Sequence, residues 1–174
     1  MDGIKQRIIS ILVSNQPGVL SRIAGLFSRR GYNIDALTVC ATEDERYSRM
    51  TITVTAQPAT VRQIVAQLEK QEDVIKVVGF DGSEVAYREL LLIKLAVSPA
   101  ERSQIVDLCT LFKAKAIDIN ADSIMLELTG SPEKVDNFVK NLSVYTILEM
   151  ARTGGAALER GGGSMAADVS AGEE

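Results

Sequence analysis

The order in which apolar patterns follow one another constrains this chain's fold more than any single residue does. Lys5–Ser14 is rich in Ile, Val and Leu, and Ile9, Ile11 and Val13 alternate onto one face, which predicts a strand. Pro17–Arg30 carries Leu20, Ile23, Ala24 and Phe27 at i, i+3, i+4 and i+7, the period of a helix. Pro17 suits its first position, and Gly31 supplies a left-handed stop behind Arg29 and Arg30. Asn33–Thr42 predicts a second strand, Glu43–Tyr47 a hairpin loop, and Ser48–Thr55 the returning strand. In the last of these Met50, Ile52 and Val54 face inward and Thr51, Thr53 and Thr55 outward, the cleanest alternation in the chain. A helix with Val61, Ile64, Val65 and Leu68 on one stripe follows, and Asp73–Phe80 makes a fourth strand.

After a turn at Asp81–Glu84 the same order begins again. Tyr87–Val97 predicts a strand, and Ile105, Leu108, Cys109 and Phe112 mark a helix. Ala114–Asn120 and Ser123–Gly130 predict two strands, Val135, Phe138, Val139 and Leu142 a further helix, and Val144–Ala151 a closing strand. Strand-helix-strand-strand-helix-strand packs two helices on one face of a four-stranded antiparallel sheet. The expected fold is therefore α+β, with two tandem ferredoxin-like (βαββαβ) domains over residues 1–82 and 83–153. Residues 154–174 hold six glycines, no aromatic residue and an acidic end. Such a composition predicts a disordered tail beyond its first few positions.

Composition narrows the function. The chain has no histidine, which removes Ser-His-Asp and Cys-His catalysis, imidazole proton shuttling and most catalytic zinc sites. Cys40 and Cys109 are too few for a four-thiolate metal site or a disulfide framework, and their apolar neighbours predict buried, reduced thiols. A hydrophobic fraction of 46% and mean hydropathy of +0.09 suffice for a core. No apolar run reaches the roughly 18 residues that span a bilayer, and the N-terminus lacks the order of a secretory signal, so a cytoplasmic protein is expected.

Two rival functions fare poorly on the same residues. RNA-recognition domains share this element order but stack bases on aromatics of the central strands. Ser48–Thr55 has only aliphatic and polar residues, and the net charge is −4. Arg22, Arg29 and Arg30 form the one dense basic cluster, either a solvated helix face or a partner contact. A small enzyme would need a nucleophile or paired acids in a cleft. Glu43, Asp44 and Glu45 fall instead in a hairpin loop, and the Gly161–Gly163 run follows no predicted strand. Binding or regulation is the better reading.

The first loops of the two repeats differ. Ser98-Pro99-Ala100-Glu101 reads as a capping box, a helix start closed by its own side chains. Ser14-Asn15-Gln16-Pro17-Gly18-Val19-Leu20 has no acidic residue, and its glycine, inside the predicted first turn, leaves the backbone amides approachable. Such an end holds a carboxylate with about 0.3–1 kcal/mol, or up to about 2 when partly buried. The Asn15 carboxamide beside it can meet an ammonium or a carboxylate oxygen. An amino-acid site fits; so does an ordinary turn with asparagine as helix cap.

The run from Asn15 to Ile34, followed by Leu37-Thr38-Val39 and Ser48-Arg49-Met50-Thr51-Ile52, closely resembles the regulatory (small) subunit of acetohydroxyacid synthase, also called acetolactate synthase. The resemblance covers residues 5 to about 153. It implies an N-terminal ACT domain followed by a second ferredoxin-like domain for assembly or partner contact. It also implies a non-catalytic chain that stimulates a separate large subunit, where thiamine diphosphate, Mg and FAD are expected, and that confers feedback inhibition by valine or another branched-chain amino acid. In the family the effector lies between two ACT domains of a homodimer. That maps effector contacts onto Asn15, Gly18 and Asn33, with Val19, Leu20 and Ile34 as neighbours. Ile8 and Leu12, beside Ser10 on the strand face away from the helices, are apolar enough to suggest that this face is not bare. The glycine-rich segment runs beyond the usual end of the family.

Overall fold

A computed structural model describes residues 3–80 and 85–165, so the turn expected at Asp81–Glu84 lies outside the described residues. The chain divides into two compact units, Met1–Ala86 with Gly154–Glu174, and Tyr87–Thr153. In the first, β1 (Lys5–Ser14), α1 (Val19–Arg29), β2 (Ala36–Ala41), β3 (Tyr47–Ala56), α2 (Pro58–Leu68) and β4 (Val74–Phe80) follow in order. Their strands are arranged β2-β3-β1-β4, all antiparallel. β1 is central: it pairs with β3 from Lys5↔Ala56 to Ser14↔Tyr47, and with β4 through a shift between Leu12 and Val13.

Because side chains alternate along a strand, one face of this sheet receives Ile9, Ile11, Val13, Met50, Ile52 and Val54. The apolar stripes of the helices close over them with Ile23 and Phe27 from α1 and Ile64 and Leu68 from α2, all at most 1% exposed. Burying each such side chain contributes about 1.5–3 kcal/mol. α1 ends in a Schellman motif. Gly31 takes φ +69°, its N–H donates to the Ser28 carbonyl at 3.1 Å, and the Tyr32 N–H donates to the Phe27 carbonyl at 3.0 Å.

The second unit repeats the plan with β5 (Val85–Ala96), α3 (Arg102–Phe112), β6 (Lys115–Ile119), β7 (Ser123–Gly130), α4 (Pro132–Leu142) and β8 (Thr146–Arg152). Its strands run in the order β6-β7-β5-β8. Leu91, Ile93 and Leu95 meet Ile124, Leu126 and Leu128 under Ile105, Val135, Phe138 and Leu142. The expected α+β architecture is present twice. No described helix is long and apolar enough to cross a membrane.

Five local expectations need correction. The first helix starts at Val19 rather than Pro17, and the second strand at Ala36 rather than Asn33. Cys109 is buried, with burial pushing its thiol pKa up, but Cys40 is exposed. On β2 the residues packed against the core are Leu37 and Val39; period two therefore turns Cys40 to the opposite face of this edge strand. Thr51 and Thr53, assigned outward, do leave the helical core, yet they are buried along with Ser10 and Leu12. Finally, residues 154–165, read as the start of a disordered tail, include β9 (Ala156–Glu159) and belong to the first unit. Ala157 and Met165 are buried, and a guanidinium N–H of Arg49 donates to the Ala157 carbonyl at 3.0 Å. A few apolar side chains spaced among glycines can seat on an existing sheet, although they could not form a core of their own.

Candidate functional site

The link from β1 to α1 is a type II turn. Pro17 takes its second position and Gly18 its third, at φ +85°, ψ −9°, and the Val19 N–H reaches the Gln16 carbonyl at 3.4 Å. Gly18 is consequently the N-cap of α1 rather than a residue of its first turn. Glycine is required there because a Cβ is strained at this φ. The Gly18 carbonyl accepts the first helical bond, from the Arg22 N–H at 3.0 Å. Among the described residues no side chain caps this end, and the Leu20 and Ser21 amides have no acceptor. The amides and the helix dipole together present partial positive charge.

Two partners of this terminus carried no signal in the sequence. Asp73, at the foot of β4, holds the Arg22 Nε at 2.6 Å. That hydrogen bond raises the Arg22 pKa, against the opposing effect of burial. A Cβ placed on Gly18 would come within 3.1 Å of Arg22 Nη1, so the guanidinium lies directly over the glycine. Gly18→Ala should therefore cost about 1–2 kcal/mol from the positive φ alone, read as a lowered urea midpoint with an unchanged slope. A change below a few tenths would mean the turn relaxes to another form.

The Asn15 carboxamide is already in use. Its Nδ2 donates to the Glu45 carbonyl at 2.9 Å, its Oδ1 accepts from the Ser48 hydroxyl at 3.1 Å, and its backbone N–H donates to the Arg46 carbonyl at 2.7 Å. Asn15 thus ties the first loop to the β2–β3 hairpin, although it remains exposed. Gly18 and Leu20 are exposed beside it, and Val19 is buried in the core. Asn33 and Ile34 lie in the loop before β2. The Asn33 Nδ2 donates to Asp35 Oδ1 at 2.7 Å, and the Asp35 N–H donates to the Thr53 carbonyl at 2.9 Å.

These anchors place the two asparagines at opposite ends of one sheet. Asn15 follows Ser14, which pairs with Tyr47, whereas Asn33 is tethered beside Thr53. Tyr47 and Thr53 are separated by about 20 Å of strand at ~3.3 Å per residue. Within one chain the expected site residues therefore fall into two separate groups, one of Asn15, Gly18, Val19 and Leu20, the other of Asn33 and Ile34.

The corresponding loop of the second unit supplies its own carboxylate. Glu101 Oε2 accepts from the Ser98 hydroxyl at 2.6 Å and from the Ser98 N–H at 2.8 Å, which holds the Glu101 carboxyl below the usual carboxylate range. The expected capping box is only half formed. Glutamate reaches back to Ser98, but α3 starts at Arg102 and the serine hydroxyl donates to the carboxylate. The basic cluster is likewise not a bare patch: Arg22 pairs with Asp73, and Arg30 Nη2 donates to Gln67 Oε1 at 2.9 Å.

Residues 9–76 match the AHAS small subunit-like ACT domain, and residues 88–161 match the small subunit of acetolactate synthase. A probable acetolactate synthase small subunit of Archaeoglobus fulgidus is 46% identical over 153 residues, 88% of this chain and 96% of that protein. The chain belongs to the acetolactate synthase small-subunit family. The small subunit of Mycolicibacterium smegmatis is 41% identical over 160 residues, 92% of this chain and 94% of its own length. The crystal structure of the acetolactate synthase small subunit of Thermotoga maritima superposes with a TM-score of 0.85 at 35% identity, over 92% of this chain and 100% of that one. As a small subunit, the chain is a regulatory ACT-domain protein that partners a catalytic subunit. The second family match runs through residue 161, past the boundary at about 153 expected from the sequence. It takes in β9, so the family's extent includes the segment first read as a tail.

Proposed function

We propose that this small subunit stimulates a separate acetolactate synthase large subunit, itself contributes no catalytic group, and confers feedback inhibition by a branched-chain amino acid, valine first, from within the cytoplasm. The observation that carries the effector reading is the start of α1 at Gly18, where a left-handed glycine in an acid-free loop leaves the Leu20 and Ser21 amides without an acceptor among the described residues. In this reading the effector carboxylate docks at the open amides that follow Gly18 and Val19, and its isopropyl group lies against Leu20 and Ile34. Asn33, whose Oδ1 is uncommitted among the described residues, faces the ammonium. Asn15 acts by fixing the loop. Because the two groups are about 20 Å apart along β3, one effector meets both only when a second chain brings its Asn33 to the first chain's Gly18. The ACT domain is then the dimerisation unit, and the second unit serves assembly or large-subunit contact.

Such a shared site predicts complementation. Asn15→Ala and Asn33→Ala chains, each folded by circular dichroism, should each lose calorimetric binding of valine. Mixed and re-equilibrated, they should recover about a quarter of the wild-type sites, because half of the dimers are mixed and each mixed dimer regenerates one intact site. No recovery, with both single variants inactive, would place both asparagines in one chain's site and reject the shared arrangement. Undiminished binding by both single variants would reject the assignment altogether.

A further inference from the structure

We propose that the open cleft on the helix-free face of the first unit's sheet binds a zwitterionic amino acid with an apolar side chain, at a site separate from the first loop. The cleft has a volume of about 560 Å³ and is walled by that sheet and by residues 156–165, all within the first unit. Such a volume falls within the range of small-molecule sites.

Strand register defines its floor. Thr38 pairs with Thr51, Thr51 with Ser10, and Cys40 with Arg49, so these side chains share the face away from the helices. Of these, Thr38, Cys40, Arg49 and Thr51 line the cleft, so its floor carries two hydroxyls that a polar guest can meet. Thr51 is buried.

The charges on the cleft are complementary to both ends of an amino acid. Arg49 is half-buried, and among the described residues one of its five N–H donors is bonded, to the Ala157 carbonyl. The remaining donors suit a carboxylate. Glu43 and Glu159 stand exposed on the same cleft and suit an ammonium. Phe80 and Met165, both buried, and Leu158 offer an apolar wall. One guanidinium among two carboxylates disfavours a simple acid, and the guanidinium disfavours a simple amine. A molecule carrying both charges and an apolar body satisfies all three groups.

Cys40 lines this cleft and is exposed, whereas Cys109 is buried, so the modification rate of Cys40 in the full chain reports occupancy. The probes are leucine, its 2-oxo acid and its decarboxylated amine. Leucine at ten times its dissociation constant should slow Cys40 labelling about tenfold, with the oxo acid and the amine far weaker. Thr51→Val, which leaves the Arg49 contact to Ala157 in place, and Arg49→Gln should each lose most of this protection. Asn33→Ala should keep it, which separates this cleft from the effector site proposed above. Absence of protection by leucine, equal protection by the oxo acid or the amine, or protection lost in Asn33→Ala but kept in Thr51→Val would each overturn the proposal.

Discussion

Replacing Phe27 by alanine should remove about 3–5 kcal/mol from the stability of the first unit. The side chain is 1% exposed, meets the Tyr32 ring edge-on at 6.3 Å, and lies in a core cluster with Ile23, Met50 and Ile52. Truncation leaves a ring-sized void that the close-packed sheet cannot collapse around, so the cavity adds to the lost transfer energy. The same residue's carbonyl accepts the Tyr32 N–H that closes the end of α1. The void therefore sits beneath the loop leading to Asn33. Urea unfolding followed by Tyr fluorescence should show the loss, and Phe27→Leu should recover more than half of it. A loss under about 1 kcal/mol would mean that the site repacks, against the density expected of such a core.

Removing the arginine from the Glu89–Arg152 pair should be nearly as damaging to the second unit. Glu89 is 5% exposed and holds Arg152 Nη2 at 2.5 Å and Nε at 2.6 Å, while the Tyr87 hydroxyl donates to its other oxygen at 3.2 Å. Arg152 also reaches the exposed Asp136 at 2.6 Å. The carboxylates raise the Arg152 pKa against the lowering effect of its own burial. Arg152→Met keeps the aliphatic stem but leaves Glu89 as an uncompensated buried charge, a defect of about 3–5 kcal/mol. The double variant Glu89→Leu/Arg152→Met should recover most of the stability. Thermal unfolding tests both statements, and a double variant no more stable than Arg152→Met would show that the cost does not lie in the unpaired Glu89.

Both affected cores were legible in the sequence because strand alternation and helix stripes depend on nearest neighbours alone. Met50, Ile52 and Val54 could go nowhere but inward once the helices were placed. Where the reading slipped, distant partners decided. Pro17-Gly18 suits a helix start and a type II turn equally well, and the sign of φ at Gly18 settles which. Asn15 carries the same carboxamide whether it meets a ligand or Glu45 and Ser48. Cys40 looked buried because its neighbours are apolar, but an edge strand sends alternate residues to the other face. Ala157 and Met165 were hidden among glycines, since only an already formed sheet gives them somewhere to lie.

The wide spacing of Asn15 and Asn33 along β3 bears on how a cell would experience this protein. In the proposed shared arrangement, a ligand that touches two chains at once binds and cross-links in the same event, so occupancy and association become one linked equilibrium. The amino-acid level at which the brake engages would then fall as more of the protein is made. Expression level, and not sequence alone, would set the threshold of the pathway.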